Sequence, residues 1–309
     1  MLAKIFELFG WTNGQILRYS HFTDHLHSLF TFQIPFRRIF SALLAAAELF
    51  CAAAFKSPVH PYGEELNLDG YELVISDEFD GDELNTDIWY HRGEGKRRLG
   101  YNADSQVSLR DGNLIITGEY LDEAEGKYGE GWYTGAIALN EWLNKGYFEI
   151  RCICNKGEGF WSAFWVQSEH SYDALSNGGI GGAEIDIFEA GRYDEFLKNR
   201  KNSVTQTVYC NGSDADPDNI DKCQFSAIGN DIFNEYNTYG LKWTDDEYIF
   251  YINGVETGRT SFGLGVSEVL ENLIVSLELP DDLPAKIDSD KDFKTEFIVD
   301  YVKVYQQAG

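Results

Sequence analysis

Short runs of β-branched and aromatic residues, each closed by Gly, Asn or Asp, recur along most of this 309-residue chain and constrain its fold more than any other feature. Leu114–Thr117, Ala136–Leu139, Tyr248–Ile252 and Leu273–Leu277 are runs of this kind. Turn residues end each one before a helical period can establish itself. Asn253–Gly254, directly after one run, favours the left-handed backbone of a tight hairpin. Many short strands joined by such turns predict an all-β sandwich. The first is Tyr71–Ile75, followed by the acidic turn Asp77–Gly81; no internal linker follows, so residues 71–309 read as one domain.

Residues 1–56 differ in character. They carry Lys4, Arg18, Arg37, Arg38 and Lys56 against only Glu7, Asp24 and Glu48, whereas the chain as a whole has a formal charge of −26. Two segments have helical spacing: Leu2, Ile5, Phe6 and Phe9, then Ile39, Leu43, Leu44, Leu49 and Phe50 after Pro35. The second contains Glu48 and falls short of a comfortable membrane span. As a signal sequence it has a long leader before Arg37–Arg38, although the small residues Ala52–Ala54 suit cleavage. Two readings stay open: a targeting or membrane-associated surface helix, and helices that pack on the sandwich or on a second copy. Residues 57–70, with Pro58, Pro61 and Gly63, read as a linker.

The strong negative charge argues against nucleic acid as a partner, because phosphate binding needs clustered Lys and Arg. Abundant aromatics, 15% of residues, suit a saccharide cleft as readily as a core. The five cysteines are Cys51, Cys152, Cys154, Cys210 and Cys223. Their odd number and lack of zinc spacing make buried free thiols the expectation, with Cys210 and Cys223 able to pair if the protein is exported.

Chemistry concentrates in Glu184-Ile185-Asp186-Ile187-Phe188-Glu189. On a strand, alternate side chains share a face, so Glu184 and Asp186 point together and strict alternation turns Glu189 away. A β-bulge near Ile187 or Phe188 restores Glu189 to their side. Three neighbouring carboxyls repel when ionised, so one holds a proton while another stays charged. Glycoside hydrolysis with retention needs that division, with two carboxyls about 5 to 5.5 Å apart, one attacking and one protonating. The bland alternative is a solvated acidic strand face.

The surroundings resemble glycoside hydrolase family 16. The hexapeptide is similar to the family's E-x-D-x-x-E signature in its bulged, laminarinase-like form. Gly146–Arg151 is similar to its "GxxExR" strand and Gly159–Trp165 to its "GxWPAFW" strand. Asp77–Gly81, Tyr239–Trp243 and Val299–Tyr305 look like further family segments, so the resemblance runs from about Tyr71 to Tyr305. It implies a β-jelly-roll sandwich, preceded here by the N-terminal helical extension. It also implies a retaining endo-β-glycosidase in which Glu184 is the nucleophile, Glu189 the acid/base and Asp186 their modulator.

Around the acids, Trp161 and Trp165 share one strand face and are expected in the cleft as stacking platforms, with Phe160 and Phe164 turned to the core. Trp132 and Trp142 are weaker candidates of the same kind. The cation- and glycine-rich stretch Arg92–Asn102 corresponds to a family segment that contacts sugar hydroxyls, which makes Asn102 and Arg98 substrate candidates. Where many laminarinase-like members carry histidines, this chain reads Thr205-Gln206-Thr207-Val208-Tyr209-Cys210-Asn211-Gly212. Tyr209 still offers a hydroxyl there, but the exact polysaccharide is left open. The expected substrate is a β-1,3-glucan, with mixed-linkage glucan or β-galactan (agar, carrageenan or porphyran type) as alternatives, and a non-catalytic carbohydrate-binding jelly roll as the rival class. The chemistry requires no cofactor. The resemblance further implies a structural calcium near Glu78, the backbone around Gly112, and Asp300.

Overall fold

The computed structural model describes residues 63–156, 159–190, 203–211, 220–228 and 231–309. The N-terminal segment 1–56 and residues 57–62 of the linker lie outside them. In chain order the strands are β1 Tyr71–Asp77, β2 Trp89–His91, β3 Gly95–Arg97, β4 Gly100–Asn102, β5 Val107–Leu109 and β6 Leu114–Leu121. Next come β7 Gly131–Thr134, β8 Ala136–Leu143, β9 Gly146–Ile153, β10 Trp161–Gln167, β11 Glu184–Ala190 and β12 Ser203–Asn211. The last six are β13 Ile220–Ile228, β14 Asn237–Trp243, β15 Tyr248–Ile252, β16 Val255–Thr260, β17 Glu271–Glu278 and β18 Lys294–Gln307.

These strands form two sheets. The larger runs β16-β15-β14-β9-β18-β6-β7-β4-β3, with β1 also on β18 and β5 on β6; the smaller runs β13-β12-β11-β10-β17-β8-β2. Strands distant in sequence become neighbours, β17 between β10 and β8 and β18 between β9 and β6. The result is the predicted jelly-roll sandwich. Its core is made by alternate residues of facing strands: Phe148, Trp243, Phe250 and Phe297 from the larger sheet meet Phe164, Ile185, Phe188 and Val275 from the smaller, all essentially buried. Each such side chain contributes roughly 1.5–3 kcal/mol by leaving water, so the face that a residue presents is strongly specified.

The hairpin at Asn253–Gly254 forms as expected, with both residues at positive φ, +50° and +73°, and Ile252 opposite Val255. Part of the expected linker is docked. Leu66 and Leu68 pack against Tyr147, Ile249 and Tyr251, and the Leu66 N–H bonds the Gly254 carbonyl at 2.8 Å. These three partners alternate with the core residues Phe148 and Phe250, so the segment lies on the outer face of the larger sheet.

Candidate active site

Two consecutive apolar residues of β11, Ile187 and Phe188, are both fully buried, and a regular strand cannot turn neighbours to one side. The chain resolves the conflict with one extra residue. On β10, the adjacent Phe164 and Trp165 face Phe188 and Asp186, leaving Ile187 over. On β12, Thr207 and Thr205 face Asp186 and Glu189, two steps against three. Phe188 is fixed by stacking on Tyr239 with centroids 4.0 Å apart and by its edge contact with Phe297. Past the bulge, Glu189 returns to the face of Glu184 and Asp186. Opposite the three acids stands one alternate row of β10: Ala163 beside Glu189, Trp165 beside Asp186 and Gln167 beside Glu184.

That face is the wall of a cleft of about 230 Å³, into which all three acids project. Glu184 accepts hydrogen bonds from the Tyr172 hydroxyl and from Gln167 Nε2, each at 2.5 Å. Glu189 accepts one from Trp161 Nε1 at 2.8 Å. Burial pushes the Glu184 carboxyl up to about 7; the Tyr172 bond works the other way, Glu189 and Glu278 add to the rise, and Arg92 opposes it. Asp186 is also raised, well above the usual carboxylate range, by burial and then by Glu189, Glu184 and Glu278. Burial and the neighbouring acids thus favour the neutral form of Asp186, while the Tyr172 hydroxyl on Glu184 favours its anion.

Further groups close the cleft. Glu278, on β17 and directly across from Trp161, is a fourth acid in the wall. Arg97 donates to its Oε2 from Nε and Nη2, at 3.1 and 2.7 Å. The guanidinium of Arg98 lies over the Trp161 ring, 5.0 Å from its centroid, with the backbone in the left-handed region at φ +47°. The guanidinium of Arg92 covers Trp165 in the same way at 4.7 Å and donates to Gln167 Oε1 at 3.1 Å.

The sequence expectations divide accordingly. Glu184, Asp186, Glu189, Trp161, Trp165 and Arg98 meet in the cleft, while Phe160 and Phe164 turn to the core. The two tryptophans do not act as open platforms: they are only 3% and 6% exposed, and a guanidinium covers one face of each because the four acids draw cations in. Trp161 serves instead through its N–H on Glu189. Tyr209 stands directly across from Glu184 on β12, and its phenol is raised to about 12 by burial and by Asp186, Glu189 and Glu184. Asn102 is a correction: it is 4% exposed on β4 of the larger sheet, paired with Gly95 and Thr134, and it lies outside the cleft wall. Trp132 is a core residue against Tyr120, Phe160 and Phe293. Tyr172, Gln167, Glu278, Arg92 and Arg97 were not singled out.

Of the residues expected near a calcium ion, Glu78 is paired with Lys303 at 2.8 Å and Asp300 with Arg151. Among the described residues no group of three or more His, Cys, Asp or Glu side chains could hold a metal. Cys152 and Cys154 are buried free thiols as expected. Cys210 stands opposite Asp221 and Cys223 opposite Val208, so the two are not direct cross-strand partners.

Comparison with known proteins places this geometry. A family model described as "Beta-porphyranase A-D, GH16 domain" matches residues 72–307. Glucan endo-1,3-beta-glucosidase A1 of Niallia circulans is 24% identical over 206 residues, 60% of this chain and 29% of that protein. The Beta-glucanase of Acetivibrio thermocellus is 26% identical over 204 residues, 65% of this chain and 53% of its own length. The chain thus spans about half or less of these curated relatives. Among solved structures, the non-specific endo-β-1,3(4)-glucanase SCLam has a TM-score of 0.63 at 21% identity, covering 80% of this chain and 95% of that one. Porphyranase B of Zobellia galactanivorans has a TM-score of 0.60 at 21% identity, covering 81% and 96%. These two likenesses show the fold; the family model, matching nearly the whole described sandwich with the bulged acid strand inside it, shows that the chain belongs to glycoside hydrolase family 16.

Proposed function

We propose that this chain is a retaining endo-β-glycosidase acting on a β-linked polysaccharide, with a β-1,3-glucan first among substrates. The observation that carries the reading is the bulge at Ile187, which turns Glu184 and Glu189 to one side of a cleft with the buried Asp186 between them. Glu184, as the carboxylate, attacks the anomeric carbon while Glu189 gives its proton to the departing glycosidic oxygen. The product is a glycosyl ester on Glu184 and a released sugar chain. Glu189, now a carboxylate, takes a proton from water as the water oxygen bonds to the anomeric carbon, and the Glu184 carboxylate leaves. Trp161 orients Glu189, Tyr172 and Gln167 hold Glu184, and Asp186, its neutral form favoured by burial, adds no second charge beside Glu184. Glucan-cleaving relatives by name support the substrate choice.

A second substrate has its own support. Arg92, Arg97 and Arg98 bring three guanidinium groups to the cleft wall, and the matching family model carries a porphyranase description. Guanidinium groups pair well with sulfate or carboxylate substituents, so a charged β-galactan is the alternative. Digestion of a panel of neutral glucans and charged galactans, with product sizing and proton NMR of the first anomer released, decides between them. Glu184→Gln should abolish turnover with the fold intact. Undiminished activity of that variant, or a first product of inverted configuration, would refute the mechanism.

A further inference from the structure

At the Glu189 end of the acid row, strands of both sheets meet in the cleft wall. Register sets Glu278 of β17 directly across from Trp161 of β10, one alternate position beyond the Ala163–Glu189 pair, and β3 of the larger sheet brings Arg97 to it. The two form an ion pair between the sheets. Arg97 donates from Nε and Nη2 to one oxygen, Oε2, at 3.1 and 2.7 Å, and Nε of Arg98 stands 3.9 Å from that same atom. The Glu278 side chain is 6% exposed and those of Arg97 and Arg98 are 32% exposed. The acid is thus nearly removed from water, while both guanidinium groups remain reachable from the cleft that they line.

The neighbouring acids draw on uncharged donors: Glu184 on Tyr172 and Gln167, Glu189 on Trp161. Glu278 makes their ionisation harder, since its charge is among those that push Glu184 and Asp186 up. What it supplies in return is a fixed anion for Arg97. Guanidinium groups bind carboxylate and sulfate oxygens alike, so the Glu278 carboxylate takes the place on Arg97 that an anionic substituent of a sugar would need. Its own charge, held almost out of water, also repels a second anion there. Arg92 is engaged at the other end of the row, on Gln167 and over Trp165.

We propose that Glu278 is a specificity-determining residue: by occupying Arg97 it keeps the Glu189 end of the cleft for uncharged sugars and turns away a ring that bears sulfate or carboxylate. The proposal deepens the glycosidase reading and rests on it. The test measures kcat/KM of wild type, Glu278→Gln, Glu278→Asp and the double variant Glu278→Gln with Arg97→Gln. Each is given one polymer in two forms, unsubstituted and partially sulfated, with laminarin as the glucan and agarose as the galactan. The readout is the ratio of sulfated to unsubstituted kcat/KM, in which a general loss of activity cancels. Glu278→Gln should raise that ratio at least tenfold, the scale of a charge-assisted hydrogen bond, and added salt should shrink the gain. Glu278→Asp keeps the charge and should stay near wild type. The double variant should lose the gain, because it lacks the guanidinium that Glu278 had held. A ratio not raised by Glu278→Gln, or raised equally in the double variant, would overturn the proposal while leaving the acid chemistry in place. If wild type cleaves no polymer tested, the glycosidase reading fails, and calorimetric titration of the same pairs into wild type and Glu278→Gln decides the matter: an equal preference in the two proteins overturns it.

Discussion

Glu271 should make folding stability depend on pH, and Glu271→Gln should remove that dependence. Its side chain is 1% exposed at the start of β17. Oε1 accepts the backbone N–H of Ala183 at 2.9 Å, just before the acid-bearing strand. Burial raises this carboxyl from its ordinary 4.5 to about 8, against the pull of the Ala183 N–H and the Ser267 hydroxyl and helped by the Glu184 charge. Below pH 4.5 the group is protonated in both folded and unfolded chains and has no differential effect. As pH rises, the unfolded chain ionises while the folded one does not, so unfolding releases a proton and stability falls until pH passes about 8. At about 1.4 kcal/mol per unit, the loss reaches roughly 3 kcal/mol by pH 7 and roughly 5 kcal/mol above pH 9. Gln keeps an oxygen for the Ala183 N–H and does not titrate. Urea midpoints of both proteins from pH 4.5 to 9 should therefore diverge, with the variant gaining steadily relative to wild type. A stability difference that stays constant across that range would refute the assignment of Glu271 as a buried neutral acid.

Three further outcomes test the site. Glu189→Ala should lose most turnover on polysaccharide but recover with added azide on substrates bearing a good leaving group, yielding a glycosyl azide of retained configuration; no recovery would remove Glu189 from the acid/base role. Tyr172→Phe removes a donor that favours the Glu184 anion, so the acid limb of the kcat/KM profile should move to higher pH by about one unit; an unmoved limb argues that Glu184 is not the group titrating there. Deleting Ile187 removes the extra residue and leaves Glu184-Ile185-Asp186-Phe188-Glu189 in strict alternation, with the three acids still on one face, so activity should survive at a reduced level while the denaturation midpoint drops with the loss of the Ile187 side chain; complete loss of activity in a folded deletion protein would refute the reading that the bulge serves to keep Glu189 on that face.

What the sequence disclosed and what it withheld follow from the range over which each feature is decided. Strand β15 coincides with the run Tyr248–Ile252 because an Asn-Gly hairpin is a local decision. The bulge is nearly as local: Ile187 and Phe188 sit side by side between acids, and two adjacent core residues cannot be accommodated otherwise. Glu278, by contrast, meets Trp161 only through the β10–β17 register, and no spacing in the chain announces that meeting. Even so, a signal was present. Every residue of β17 is buried, and an acid at each end of so apolar a run, Glu271 and Glu278, has to be neutralised or paired, since an isolated charge there would cost several kcal/mol. The structure uses both solutions, protonation for Glu271 and Arg97 for Glu278. The same reasoning explains the capped tryptophans. Four carboxyls in one cleft need compensating charge, the nearby cation-rich stretch supplies Arg92, Arg97 and Arg98, and two of those guanidinium groups come to rest on the indole faces beside the acids.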